Sequence, residues 1–175
     1  MNFELILADV NDEVCVAFQR LFRHQKVSIE PGDLFDVSAD AYVSPANCHG
    51  IMDGGFDLLL RRRFPRIESR IQREFDLLGG MLPIGQAVVV ETDDDEVPYL
   101  VCAPTMVTPS VIGGTRNVHA AMLACLKAVH RFNVENDNEI MSLAVTGLGT
   151  GVGRMMPEVA VRQMRDAFDE FLGEL

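Results

Sequence analysis

The chain has 175 residues, of which 48% are hydrophobic and 23% are charged, a composition that suits one domain with its own core and excludes a disordered segment. Its 15 Lys and Arg against 26 Asp and Glu give a formal net charge of −11, so we expect no general binding to the DNA or RNA backbone. The four cysteines form no CxxC pair and no Cys/His spacing that suits zinc. We therefore expect reduced thiols, a cytoplasmic location, no metal and no cofactor.

Apolar runs alternate with amphipathic segments along the chain, which is typical of an α/β domain. In chain order the patterns predict a strand at 3–8, a helix capped by Asp9 or Asn11, strands at 26–30 and 41–44, helices at 54–64 and 66–78, paired strands at 86–91 and 99–103, a helix at 115–132, a strand at 140–146 and a helix at 157–172. The start of the chain lacks the features of a signal peptide, and no run reaches the ~18 apolar residues of a membrane span, so we expect no membrane association.

These elements predict one α/β domain over residues 1–175. Strands 88–90 and 143–145 are apolar on both faces, which indicates a sheet covered by helices on both sides. We expect a three-layer α/β/α sandwich with a mixed, mostly parallel central sheet of about six strands. The arginines between positions 61 and 73 and the acidic turn at 93–96 are each predicted to be solvated, with an acidic partner for the arginines as the alternative.

Three irregular stretches each follow a predicted strand, where ligands gather in open α/β sheets. The first is Pro31-Gly32-Asp33-Leu34. It suits an ordinary turn, but the Asp33 carboxylate could also accept a hydrogen bond from an exocyclic amine such as that of adenine.

The second stretch, SPANCHGIMDGGFD from Ser44 to Asp57, leads through glycines at 50, 54 and 55 directly into a helix. Glycine lets backbone N–H groups approach a ligand closely and a helix N-terminus favours negative charge, so the segment suits a diphosphate cradle. Asn47 offers the donor and acceptor that sugar hydroxyls require. Asp57 lies in the first turn of the helix, where compensating the helix dipole is its alternative role, and a plain tight connection is the alternative for the loop.

The third stretch, TGLGTGVGRMMP from Thr146 to Pro157, has glycines at every second position from 147 to 153. It fits neither the dinucleotide fingerprint nor the nucleotide phosphate loop, but alternating glycines with Thr150 suit a nest of N–H groups around a phosphate. Two glycine-rich loops in one small domain indicate a phosphate-bearing ligand, because their backbone entropy cost needs a compensating gain. Cys48 and His49 are a weaker candidate for nucleophile and base, since sequence neighbours rarely face each other.

In this order, from about residue 27 onward, the three segments resemble the macrodomain family, which binds ADP-ribose. The motifs APTM and GTGVG are most similar to a bacterial or phage branch. The resemblance implies that Asp33, beside Leu34, reads the adenine amine, that Asn47 binds the distal ribose, and that Asp57 is the catalytic or water-orienting carboxylate of the hydrolytic members. It also implies that two groups of residues bind the diphosphate, namely Gly54 and Gly55 of the first loop and Gly149, Thr150, Gly151, Val152 and Gly153 of the second, with a positive charge added by Arg154.

Two departures from the family pattern bear on the activity. Asp53 stands in the usual four-glycine run, and Gly153 takes the place of the aromatic residue of the second loop. Three functions therefore stay open. The chain hydrolyses an ADP-ribosyl or O-acyl-ADP-ribose bond with Asp57 and Asn47 as catalytic residues, or it is a non-catalytic reader of ADP-ribose or an ADP-ribosylated substrate, or it binds a different phosphorylated metabolite.

Overall fold

The structure is a computed structural model that describes residues 1–137 and 139–175. Its elements alternate in the order that the sequence predicts. The strands are β1 (Glu4–Leu7), β2 (Ser28–Ile29), β3 (Ala41–Ser44), β4 (Val88–Glu91), β5 (Tyr99–Cys102) and β6 (Ser142–Val145). The α-helices are α1 (Asp12–Leu21), α2 (Gly55–Arg63), α3 (Ile67–Leu77), α4 (Asn117–Glu135) and α5 (Pro157–Glu174), and a short 3-10 helix spans Leu34–Asp36.

The strands form one six-stranded sheet in the spatial order β2-β1-β6-β3-β5-β4. Neighbouring strands are parallel, with Leu5 opposite Leu143 and Val43 opposite Val101, except that β4 runs antiparallel to β5. The predicted mixed, mostly parallel sheet is therefore confirmed. Because parallel strands end at the same edge, the segments that follow β1, β2, β3, β5 and β6 all leave the sheet on one side.

Helices cover both faces of the sheet, as the sequence predicts. On one face α1, α4 and α5 pack over strand residues that include Leu5, Val43 and Leu143, and on the other α2 and α3 pack over residues that include Tyr42 and Leu100. Side chains of one strand alternate between the two cores, as the two-residue period of a strand requires. The central strand β6 is buried on both faces, whereas β4 is one of the two edge strands and is only partly buried.

The sequence left two possible caps for the first helix, and the structure selects Asn11. Its side-chain oxygen accepts hydrogen bonds from the N–H groups of Glu13 and Val14, two donors that the helix itself cannot satisfy. Pro157 occupies the first turn of α5, where its missing N–H costs nothing.

The arginines of α2 and α3 pair with the acidic turn between β4 and β5, which the sequence did not predict, while most of these side chains stay exposed to solvent as expected. Arg63 lies 2.6 Å from Asp94, and both Arg66 and Arg70 bind Asp93, at 2.7 and 2.5 Å. The antiparallel pairing of β4 with β5 places the turn beside the two helices and brings together charges 23 to 31 residues apart in sequence. No helix within the described ranges is both long enough and apolar enough to cross a membrane.

Candidate functional site

A cavity of about 570 Å³ opens at the sheet edge where the parallel strands end. The segments after β1, β2, β3, β5 and β6 all contribute to its wall, which is the position where open α/β sheets bind ligands. Two of these segments carry most of the site. We define loop 1 as residues 45–54, between β3 and α2, and loop 2 as residues 146–156, between β6 and α5.

Loop 1 is shaped by the side chain of Asn47, which is buried. Its Nδ2 donates to the carbonyl of Ile51 at 2.7 Å, and its Oδ1 accepts from the N–H groups of His49 and Ile51 at 3.0 and 3.3 Å. A second side chain, Glu68 of α3, accepts from the Met52 N–H at 2.8 Å while pairing with an arginine of α2. Hydrogen bonds inside loop 1, made by Asn47, and a hydrogen bond from Met52 to Glu68 of α3 therefore fix the shape of the loop without a ligand.

The start of α2 leaves backbone donors free beside the cavity. Gly54 is the N-cap and supplies no side-chain bond, and within the described residues the N–H groups of Gly55, Phe56 and Asp57 have no acceptor. Unpaired N–H groups and the positive end of the helix dipole together favour an anion at this position.

The start of loop 2 is bound by a carboxylate that the sequence predicted only as a possible helix cap. Asp9, at the end of β1, accepts from the Gly147 N–H through Oδ2 at 2.9 Å and from the Asn11 N–H through Oδ1 at 2.8 Å. Thr150 closes the following turn by donating from Oγ1 to the Gly147 carbonyl at 2.8 Å. Asp9 thus joins the first strand to the start of loop 2.

The glycines of loop 2 differ in what they contribute. A Cβ on Gly153 would lie 2.6 Å from the Gly149 carbonyl oxygen and 2.8 Å from a carbon of Ile112, so only glycine fits there. The N–H groups of Gly151, Val152 and Gly153 have no acceptor in the part of the chain that the structure describes. Loop 2 therefore presents a second set of free donors to the cavity that α2 faces.

Asp57 is the buried carboxyl group of the cavity, with 8% of its surface exposed. The hydroxyl of Ser44, at the end of β3, donates to Asp57 Oδ1 at 2.7 Å. Burial raises the pKa of Asp57 to about 6, and the hydrogen bond from Ser44 acts in the opposite direction. A carboxyl group with that pKa exchanges a proton readily near neutral pH, which suits a general acid or base.

The opposite part of the cavity combines a carboxylate with apolar surface. Asp33 is exposed and caps the 3-10 helix by accepting from the Phe35 N–H at 3.0 Å, so the turn that its sequence suits is present. Leu34 is buried in the wall, and Phe56 lines the cavity while stacking on Phe35 with ring centroids 5.6 Å apart. This region suits a flat, apolar ring that carries a donor group.

The charged side chains that line the cavity are all acidic. Asp9, Asp33, Asp53 and Asp57 all line it, whereas its wall, within the described residues, contains no lysine, arginine or histidine. Any phosphate held here must therefore be neutralised by backbone N–H groups and helix dipoles, which bind anions without a cationic side chain.

The structure brings nearly all the predicted site residues to one cavity: Asp33, Leu34, Asn47, Gly54, Gly55, Asp57, Gly149, Thr150, Gly151, Val152 and Gly153 line it. Arg154 is exposed and is not among the lining residues. Sequence reasoning missed Asp9, Ser44 and Glu68, whose contacts join segments far apart in the chain. Only the position of Asp9 and Ser44 at strand ends could have pointed to them.

Neither the Cys48–His49 pair nor a metal ion is supported as a source of catalysis by the described residues. Cys48 is buried, and burial raises the pKa of its thiol, so it stays protonated and is a poor nucleophile, while its neighbour His49 is exposed. Within residues 1–137 and 139–175, no group of His, Cys, Asp and Glu side chains is arranged to hold a metal ion.

Two curated relatives are similar in sequence. An uncharacterized protein of Aquifex aeolicus is 30% identical over 146 residues, which cover 83% of this chain and 82% of that protein. A protein of Mycobacterium tuberculosis described as DNA ADP-ribosyl glycohydrolase is 26% identical over 140 residues, or 79% of this chain. The match spans only 38% of the mycobacterial protein, so that relative is much longer than the matched region.

Two solved structures are similar in fold. The macrodomain of Mycobacterium tuberculosis DarG superposes with a TM-score of 0.66 at 25% identity, covering 79% of this chain and 87% of that one. Thermosipho africanus DarTG, solved in complex with ADP-ribose, gives 0.59 at 17% identity, covering 96% of this chain and 50% of that one. The family model described as Macro domain matches residues 43–164, from β3 into α5 and through both loops. With that match over more than half of its length, the chain belongs to the macro domain family.

Proposed function

We propose that this chain binds ADP-ribose, free or attached to a macromolecule, and hydrolyses the bond at its distal ribose. One observation carries the binding proposal: two sets of residues with free N–H groups, at the start of α2 and in loop 2, line a single cavity of about 570 Å³. That arrangement suits a diphosphate, and the volume suits a dinucleotide-sized ligand. The complex of Thermosipho africanus DarTG with ADP-ribose supports the same ligand class.

In this proposal the ligand lies along the cavity with its adenine at Asp33 and Leu34, where the exposed carboxylate accepts from the exocyclic amine. The N–H groups of Gly54, Gly55 and loop 2 bind the diphosphate, and the distal ribose lies beside Asn47. Because the amide of Asn47 already binds loop 1, we assign it mainly to shaping the wall against which the sugar rests.

The position of Asp57 in the cavity wall supports hydrolysis. A water molecule attacks the C1 carbon of the distal ribose, forming a C–O bond while the bond from C1 to the leaving group breaks. Asp57 takes the proton of the water, the leaving group keeps the electron pair of the broken bond, and the proton then passes from Asp57 to the leaving group. The description of the mycobacterial relative as a DNA ADP-ribosyl glycohydrolase supports this class of reaction.

A second candidate function is a reader that binds ADP-ribose without turnover. Asp53 favours it, because this exposed carboxylate lies in the cavity wall next to the donors of α2 and adds repulsion where the diphosphate would bind. The four cysteines are free and buried, which supports a reducing compartment such as the cytoplasm for either function.

Binding is tested by calorimetric titration with ADP-ribose of the wild type, of Asp33→Ala, and of Asp36→Ala as the matched control. Asp36 is exposed on the same 3-10 helix but does not line the cavity. We expect micromolar binding that weakens in Asp33→Ala and is unchanged in Asp36→Ala. Absence of binding to the wild type would overturn the proposal and direct the search to other phosphorylated ligands.

Hydrolysis is tested by release of ADP-ribose from an ADP-ribosylated oligonucleotide and an ADP-ribosylated protein, and of acetate from O-acetyl-ADP-ribose that carries its acetyl group on the C1 oxygen of the distal ribose. Replacing a general base lowers a rate by about 10²–10⁴-fold, so Asp57→Asn should lose that much activity and keep its affinity for ADP-ribose. Tight binding by a wild type that turns over none of the three substrates would establish the reader instead.

A further inference from the structure

Ser44 and Asp57 are joined across the two ends of loop 1. Ser44 is the last residue of β3 and is fully buried, and Asp57 is the third residue of α2. Their hydrogen bond, 2.7 Å from Ser44 Oγ to Asp57 Oδ1, therefore links the strand before the loop to the helix after it. The bond occupies one carboxylate oxygen of Asp57, Oδ1, and does not involve the other, Oδ2.

The other oxygen, Asp57 Oδ2, is the part of the carboxyl group that reaches the cavity. In the described part of the chain it makes no hydrogen bond, and it is not one of the buried polar atoms without a partner. Since Asp57 lines the cavity and this oxygen is not fully buried, the oxygen is exposed to the cavity. Oδ1 thus points into the protein and Oδ2 towards the ligand.

The direction of the hydrogen bond follows from the chemistry of the carboxylate. An ionised carboxylate only accepts, so the Ser44 hydroxyl directs its proton to Asp57 Oδ1. The neighbouring thiol of Cys102, in β5, stays protonated, because burial raises its pKa well above the ordinary value and the charge of Asp57 acts in the same direction. No charged side chain contributes to the pKa of Asp57, whose causes are burial and Ser44 alone.

We propose that Ser44 is a positioning residue, which occupies Asp57 Oδ1 so that the proton exchanged with the ligand or with water is carried on Oδ2. This inference rests on the proposed function for the identity of the reaction, but the arrangement of the carboxyl group stands on the contacts alone. The proton that Asp57 gains in the reaction bonds to Oδ2, because Oδ1 already accepts from Ser44. The same bond stabilises the ionised carboxylate and so keeps Asp57 available as a base.

The test is a titration of the Asp57 carboxyl carbon by ¹³C NMR in the wild type, Ser44→Ala and Ser44→Thr. A hydrogen bond to a charged group that is lost without replacement should raise the pKa of Asp57 by about one pH unit in Ser44→Ala. Ser44→Thr keeps the hydroxyl and should restore the wild-type titration. If the added methyl prevents the Thr variant from folding, the comparison of the wild type with Ser44→Ala decides alone.

Activity gives an independent readout. The acid limb of the pH–rate profile should move to higher pH in Ser44→Ala by the same amount as the NMR titration, with affinity for ADP-ribose unchanged. An Asp57 titration that is the same in Ser44→Ala and in the wild type would overturn the positioning role, even in an active hydrolase. A shifted titration in a protein that hydrolyses nothing would support the positioning role while the proposed reaction fails.

Discussion

Val152 of loop 2 lies against Gly55, the first residue of α2, so the two segments that frame the cavity meet at this pair. A Cβ added to Gly55 would lie 3.0 Å from Val152 Cγ2. Gly55 also has a φ of +56°, a left-handed conformation that residues with a side chain seldom adopt. A methyl group added to Gly55 would therefore have two unfavourable effects, namely backbone strain at Gly55 and crowding against Val152.

Replacing Gly55 is expected to destabilise the fold. We expect Gly55→Ala to lower the free energy of unfolding by about 1–2 kcal/mol, since a left-handed residue with a Cβ costs about that much. Gly54→Ala is the matched control, because Gly54 has an extended φ of −152° and nothing within 4 Å of its added Cβ. Urea unfolding of both variants measures the difference, and equal stabilities would contradict the expected strain.

The buried carboxyl group should make stability depend on pH. Burial raises the pKa of Asp57 from 3.8 to about 6, so folding favours the protonated form. The contribution of this group to stability is complete below about pH 4 and is lost as the pH rises through 6. Asp57→Asn keeps an acceptor for Ser44 and removes the charge, so we expect it to be more stable than the wild type at pH 8, by up to about 3 kcal/mol, and not at pH 4.

Chemical denaturation at the two pH values measures this difference. Asp76→Asn on the exposed surface of α3 serves as the control and should change stability little at either pH. A stability gain of Asp57→Asn that is the same at pH 4 and pH 8 would show that the charge of Asp57 is not what destabilises the native state.

Asp9 is expected to be needed for the shape of loop 2. Its two oxygens accept from two different N–H groups, of Asn11 and Gly147, whereas an asparagine has only one oxygen. Asp9→Asn should therefore set an NH₂ group against a backbone N–H, lower the free energy of unfolding by about 1–3 kcal/mol and weaken ADP-ribose binding about tenfold or more.

Asp12→Asn provides the comparison for Asp9→Asn. Asp12 lies nearby on α1 and carries the same charge, but is exposed and does not bind loop 2. If both variants weaken binding of ADP-ribose equally, the effect of Asp9 is its charge and not its contact with Gly147. Calorimetric titration separates the two explanations.

The charges of the cavity wall predict that added salt strengthens the binding of ADP-ribose. Since it carries four aspartates and no described basic side chain, in a chain of net charge −11, added salt screens the repulsion of the diphosphate. We expect the Kd for ADP-ribose to fall about two- to threefold between ~20 and ~200 mM NaCl, while the Kd for uncharged adenosine stays constant. A Kd that rises with salt would instead indicate that Arg154 binds the phosphates, and Arg154→Gln would then abolish the rise.

The strands, the helices and the sheet were predictable because hydrophobic periodicity is a local signal. The choice between Asp9 and Asn11 as helix cap was not, because Asp9 is engaged by Gly147, which lies 138 residues away. The pairing of the arginines with the acidic turn was missed for the same reason: only the register of the β4–β5 hairpin brings the charges together.

For the site, the spacing of the glycines located both loops, because a backbone that approaches a ligand closely is rich in glycine. The side chains that contact the site residues have no such pattern in the sequence. In the sequence, Ser44 is an ordinary small residue at the end of a strand, and its contact with Asp57 exists only in the folded chain. The contact of Glu68 with loop 1 likewise requires that α3 packs against that loop. Side chains that act through a contact across the fold have no signature in one sequence.

The acidic wall has a consequence for competition inside a cell. Each phosphate of ADP-ribose is bridged on both sides and carries a single negative charge, whereas free nucleoside di- and triphosphates end in a phosphate that is bridged on one side only and takes a second negative charge near neutral pH. Four aspartates around an otherwise neutral set of amide donors repel that extra charge more strongly than they repel the bridged diphosphate. The same carboxylates that weaken the intrinsic affinity would thereby keep abundant energy-carrying nucleotides out of the cleft.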